Sequence, residues 1–324
     1  GLTAIIYFYL RKRDIKTSFG DAKRGYIFQR TRDNLLYLEQ AKPHPKNWRP
    51  ILVAITEDPI KQAQLVRVGS WLESRRGLYT VAHIAEREGA DLDDKLKLRA
   101  SRSKDLARQL DADGIVAFSE VLAVNDFFKG LATFLQAYAI GGLRPNTLLA
   151  ALPAGDDEVA RLRFLDTVEV LATFEQNLVL LKPGDMAPNR QRRTIDLWWR
   201  GEKNGSLMAL FAYLMTLDRT WQGSTIRIFR AVGDAAAVVE ARQNLEALVE
   251  QARIQAEIHV FPTADHPNAF ILERSAPVAD LVMLGLSEPV LDSLPEHLAA
   301  LQPLLERLPT TLLVWSNGDA DLFA

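Results

Sequence analysis

Thr194–Met215, TIDLWWRGEKNGSLMALFAYLM, is the stretch on which the fold turns. Ile195–Trp199 reads as a short buried strand, a turn follows, and a helix opens after it. In a strand, adjacent side chains point to opposite faces, so Trp198 and Trp199 predict a sheet covered on both sides. The helix, read over Leu207–Thr220, is apolar nearly all round (Leu207, Met208, Leu210, Phe211, Tyr213, Leu214, Met215, Leu217), which predicts burial in a core or an interface. Disrupting it is expected to unfold the second half of the chain.

Outward from this stretch, strands alternate with helices on both sides. Before it, strands are expected at Ile51–Thr56, Leu78–Ile84, Ile115–Val124, Thr147–Leu152 and Leu178–Leu181. Helices are expected at Ile60–Arg75, Leu92–Leu110, Phe127–Ile140 and Glu158–Phe174. After it, strands are expected at Ile226–Ala231, Glu257–Phe261, Leu281–Leu284 and Leu312–Trp315, and helices at Ala235–Arg253, Asn268–Arg274 and Pro295–Leu308. Pro183–Arg193, PGDMAPNRQRR, interrupts the alternation and marks a boundary. The pattern predicts an α/β protein of two tandem, doubly wound, mainly parallel five-stranded units.

The 324 residues are 48% apolar and 25% charged, with a net charge of −2 and no cysteine. Disulfides and thiolate metal sites are therefore excluded. The charge is uneven: residues 1–50 hold eleven Lys/Arg against four Asp/Glu, so the rest of the chain is acidic. An acidic body argues against nucleic acid as a partner, and a basic leader fits an anionic membrane surface.

Gly1–Leu10, GLTAIIYFYL, is half of the ~20 apolar residues that a membrane span requires. Arg11, Lys12 and Arg13 follow it as a cytoplasmic basic stop would, so residues 1–13 read as the end of a truncated transmembrane helix near the inner leaflet. An apolar N-terminal strand is the other reading. Residues 14–47 read as a connector with a helix at about Tyr26–Ala41, closed by Pro43, Pro45 and Pro50. Residues 48–187 and 188–324 form the two α/β subdomains.

Chemistry-bearing motifs are sparse. No Walker A sequence, G-x-G-x-x-G or G-x-S-x-G is present. Gly141 and Gly142 follow a helix, and Gly285 reads as a turn residue. His44, His83, His259, His266 and His297 are scattered without metal spacing. An ATP-like nucleotide has a conceivable place beside the loops Thr56–Pro59 and Pro153–Asp157, at the carboxyl ends of the strands. Asp196, inside an apolar strand, is expected to pair with Arg190, Arg192 or Arg193 or with a helix N-terminus. Arg99–Arg108 reads as a charged helix face. No catalytic or metal-ligating residue is predicted.

Three ordered segments carry a resemblance: NWRP at Asn47–Pro50, GGLRPNTL at Gly141–Leu148, and TIDLWWRGEKNGSLMALFAYLM itself. Together they resemble the C-terminal cytoplasmic domain of the cation–chloride cotransporters, over about residues 14–324. The resemblance implies two subdomains similar to the universal-stress-protein fold. It also implies a non-catalytic regulatory and homodimerisation role, and a transmembrane transport bundle earlier in the same chain. Residues 14–47 would then join bundle and domain at the cytoplasmic side of the cell membrane. The loops are short and lack a long Ser/Thr-rich insert, so control by phosphorylation of such inserts is not expected. The rival expectation is a soluble nucleotide-binding stress-type protein or a small-molecule sensor.

Overall fold

The computed structural model describes residues 19–41, 44, 47–153, 155, 157–186, 192–262, 267–286 and 293–321. Gly1–Leu10, the basic stop Arg11, Lys12 and Arg13, and Arg190 and His266 lie outside the described residues. The described residues fall into two units: those within 1–42 and 139–144, and those within 43–138 and 145–324.

The smaller unit holds helix α1 (Phe19–Gln40), which starts earlier than its apolar stripe suggested because its first turns are polar. Tyr26, Phe28 and Tyr37 are exposed on it, and Leu35 is half-buried. The turn at 139–144 closes through a bridge between Ile140 and Leu143. A Cβ on Gly142 would lie 2.9 Å from Glu39 Cα and from the Leu38 carbonyl oxygen. Only glycine lets this turn sit so close to the helix backbone.

In the larger unit, the first half runs β1 (Ile51–Thr56), α2 (Ala63–Glu73), β2 (Leu78–Glu86), α3 (Leu92–Ala112), β3 (Phe118–Val124), α4 (Phe127–Ala137), β4 (Thr147–Ala151), α5 (Glu158–Ala172) and β5 (Asn177–Lys182). The second half runs β6 (Thr194–Trp198), α6 (Glu202–Thr216), β7 (Thr225–Val232), α7 (Ala237–Gln251), β8 (Glu257–Pro262), α8 (Pro267–Ser275), β9 (Leu281–Gly285), α9 (Leu294–Leu305) and β10 (Thr310–Trp315). Aspartates start three of the helices by accepting backbone N–H bonds: Asp91 at α3, Asp126 at α4 and Asp157 at α5.

Among the described residues, ten strands form one sheet in the order β3-β2-β1-β4-β5-β10-β9-β6-β7-β8. Each half therefore has the same internal order, with its first strand central. Pairing is parallel within each half. The halves join where β5 and β10 pair antiparallel, with Leu180 opposite Leu313. This seam turns two five-stranded units into one continuous sheet.

Apolar side chains cover both faces of the sheet, in two buried clusters. Trp199 belongs to one cluster and Trp198 to the other, as strand alternation requires. On the Trp199 face, α2 and α6 pack across the seam, with Trp71 and Trp221 edge to face at 5.4 Å. Helix α6 begins at Glu202, before the apolar run, and it is not buried on every side: Tyr213 and Leu217 are exposed. The third strand starts at Phe118, not Ile115, because Ile115 N–H closes the end of α3 on the Leu110 carbonyl.

Helix α6 approaches its strand through Gly205, where a Cβ would penetrate the indole of Trp199, itself 4% exposed. Alanine would gain about 1 kcal/mol of helix propensity. Overpacking costs about 1–3 kcal/mol. Gly205→Ala is expected to lower the melting temperature; a rise would mean that the indole can slide at no cost.

Candidate functional site

The three segments carrying the resemblance meet. Trp48 of NWRP lies edge-on to Phe211 of α6, with ring centroids 6.2 Å apart. Asn146 of GGLRPNTL accepts the Ile51 N–H on Oδ1 at 2.9 Å and donates from Nδ2 to the Arg49 carbonyl at 2.7 Å. Its own carbonyl accepts from Asn177 N and Nδ2. Asn177 Oδ1 in turn accepts the Asn317 N–H at 3.0 Å. One asparagine thus ties the entry to β1, the start of β4 and the start of β5, and a second extends the tie to the loop after β10. Such a cluster fixes the start of β1 against the starts of β4 and β5, because each bond uses a backbone group that strand pairing leaves open.

The conceivable nucleotide place lies at the opposite, carboxyl ends of the strands. A crevice of about 620 Å³ is lined there by Glu57, Asp58, His83, Glu86, Arg102 and Arg163, among others. Arg163 of α5 donates from Nε to Glu57 at 2.7 Å and from Nη2 to Glu86 at 2.8 Å, over the ring of Phe127. Glu86 also accepts the Phe127 N–H at the start of α4. In the loop Thr56–Pro59, Asp58 accepts from the Ile60 and Lys61 N–H groups that follow it. In the loop Pro153–Asp157, Asp157 takes the Val159 and Ala160 N–H groups at the head of α5. The Ile60, Lys61, Val159 and Ala160 N–H groups are thus matched by carboxylates of the chain, whereas no side chain caps the start of α2. His83 is buried, its Nδ1 has no partner among the described residues, and burial and then Arg102 hold its pKa below the ordinary value.

The corresponding ends in the second half are closed by Asn204. Its Nδ2 donates to the Leu286 carbonyl and its Oδ1 accepts the Ser316 N–H at 2.7 Å. Gly285 is therefore more than a turn residue: a Cβ there would meet the Asn204 side chain at 3.1 Å.

Asp196 is fully buried, and its partner differs from the expected ones. Arg227, directly opposite on β7, grips it with two bonds of 2.8 and 2.7 Å. Burial raises the Asp196 pKa, against the opposing bonds from Arg227 and Ser275. Arg193 lies instead beside Asp280 at 3.6 Å, and Arg192 is exposed. Arg99, read as surface, donates to the Val121 carbonyl on edge strand β3. Among the described residues no group of His, Asp and Glu is arranged to hold a metal ion, and no helix is long and apolar enough to cross a membrane.

Known proteins point one way. The Solute carrier family 12 sequence pattern matches residues 175–270, which include the whole strand–helix stretch and β5 to β8. Potassium/chloride cotransporter 3 of Caenorhabditis elegans is 28% identical over 290 residues, covering 85% of this chain. The chain matches 27% of that relative's length. The cytoplasmic domain of a prokaryotic cation chloride cotransporter has the same fold, with a TM-score of 0.57 and 19% identity over 84% of this chain and 98% of that one. A universal stress protein from Archaeoglobus fulgidus also shares the fold, at a TM-score of 0.52 and 12% identity over 82% of this chain and 95% of that one. The chain is thus similar in sequence to a potassium/chloride cotransporter over a quarter of that protein's length, and it shares the fold of the cytoplasmic domain of a prokaryotic cation chloride cotransporter.

Proposed function

We propose that the chain is the non-catalytic regulatory and dimerisation domain of an electroneutral Na⁺/K⁺–Cl⁻ cotransporter. In this reading residues 1–13 end a transmembrane helix, with Arg11, Lys12 and Arg13 at the inner leaflet. Residues 14–47 connect, and residues 48–187 and 188–324 form the two subdomains on the cytoplasmic side. The observation that carries the reading is the junction of Trp48, Asn146 and Phe211. It joins Trp48, the first residue after the connector, to the helix that packs across the seam of both halves. A displacement of the connector would therefore load the centre of the domain, and an effector that favours one placement would bias transport.

Trp48→Ala tests this in the full-length transporter. Chloride-dependent rubidium uptake should change several-fold while surface expression and the domain's circular dichroism stay the same. Unchanged uptake would remove the junction from regulation. Light scattering on the chain itself should give twice the 36.3 kDa protomer mass; a monomer at all concentrations would overturn the dimerisation role.

The 620 Å³ crevice favours a second reading, a nucleotide-binding stress-type protein or small-molecule sensor. ATP at one hundred times its Kd would then stabilise the chain by about 2.7 kcal/mol. A flat melting response to ATP removes that reading.

A further inference from the structure

The two faces of the β5–β10 seam are closed differently. On one face α2 and α6 meet directly. On the other, α5 and α9 are the equivalent helices, each preceding its seam strand, and they leave a cavity of about 350 Å³. Leu152, Phe164, Leu165, Leu298 and Leu305 supply its apolar walls. That volume is in the range of small-molecule sites, which pair apolar walls with a few placed polar groups.

The polar groups here are few and unequal in sign. Lys182 and Arg161 line the cavity against one carboxylate, Glu306. Glu306 accepts from Gln302 at 2.9 Å, and exposed Arg161 pairs with Glu158 at its own helix start. Lys182, at the end of β5, is half-buried and donates to the Leu308 carbonyl at 2.8 Å. A carbonyl takes one of the three donors of an ammonium and neutralises none of its charge, and burial, the larger effect, lowers the Lys182 pKa against the nearby Asp185 and Glu306 carboxylates. An acyl chain gains by leaving water for such walls.

We propose that this cavity binds the single acyl chain of an amphipathic carboxylate, with the carboxylate on Lys182 and the chain between α5 and α9. The site is separate from the Trp48 junction and shares no lining residue with the crevice of Glu57 and Arg163, although Pro153 and Gly155 of the loop Pro153–Asp157 line it, and it makes the seam a place where a soluble amphiphile can bias the packing of the two halves.

Calorimetric titration of the whole chain with decanoate and with decan-1-ol tests this. Decanoate should bind saturably, one per chain, and decan-1-ol at least ten-fold more weakly. Lys182→Met should bring the two ligands to similar affinity by weakening decanoate alone. Leu298→Trp, and independently Leu165→Trp, should abolish both by filling the cavity, with circular dichroism unchanged in at least one of them. The proposal is overturned by the absence of saturable decanoate binding to the unmodified chain, by equal affinity for the alcohol, or by binding that survives both tryptophans. Displacement of decanoate by phosphatidylserine vesicles would overturn the single-chain occupant in favour of a phospholipid.

Discussion

Arg227→Met is expected to destabilise the chain by about 3 kcal/mol, the low end for breaking a buried pair, because Arg227 keeps 16% side-chain exposure. The cost comes from Asp196, which has no exposure and would keep a carboxylate without its guanidinium. Thermal melting should shift by on the order of 5–10 °C. The defect should also depend on pH, with a definite sign. Burial raises the folded-state pKa of Asp196 above its unfolded value, and removing the arginine raises it further. A group of this kind takes up a proton on folding. Its contribution is most favourable below the unfolded pKa and is lost as pH rises through the folded pKa. Arg227→Met should therefore lie closer to the parent chain at pH 5 than at pH 8. A penalty that is constant or grows on acidification would mean that Asp196 finds another partner. The double change Asp196→Leu with Arg227→Met should recover most of the loss, since an apolar pair needs no compensation.

The same pair shows where sequence reading stops. The period-2 pattern of TIDLW and TIRIFRAV places Asp196 and Arg227 on strands. Only the register of β6 on β7 sets them opposite each other, and register is decided by the whole sheet. The nearby arginines were the obvious partners on local grounds, yet Arg193 is directed to Asp280 by the arrival of β9 beside β6. The alternation of strands and helices was legible because both faces of the sheet are buried and each helix keeps an apolar stripe. The antiparallel seam was not: β5 and β10 are both continuous apolar runs, and such runs carry no sign of direction or partner. At the junction, the three motifs could be recognised singly, but their contact depends on β1 lying against β4, which brings Asn146 to Arg49 across 97 residues.

Phe211→Ala is expected to remove about 3–5 kcal/mol and to do so for the whole larger unit, in a single transition. Phe211 is fully buried, so truncation leaves a cavity beneath Trp48. Considered as part of the second half, α6 would take only that half with it. Its packing argues otherwise: α6 lies against α2 of the first half, Trp221 after it meets Trp71, and β5 and β10 form five residue pairs across the seam. Loss of α6 would expose the apolar face of α2, where Leu65, Val68 and Leu72 are buried, so the first half cannot keep its free energy when the second unfolds. Urea unfolding followed by tryptophan fluorescence and by far-ultraviolet circular dichroism should give coincident curves for the variant, shifted to lower midpoint with the same slope. Two separated transitions, with about half the ellipticity surviving the first, would show that the halves are independent folding units. The seam would then be a docking contact between them, and a load applied at Trp48 would stop at α6.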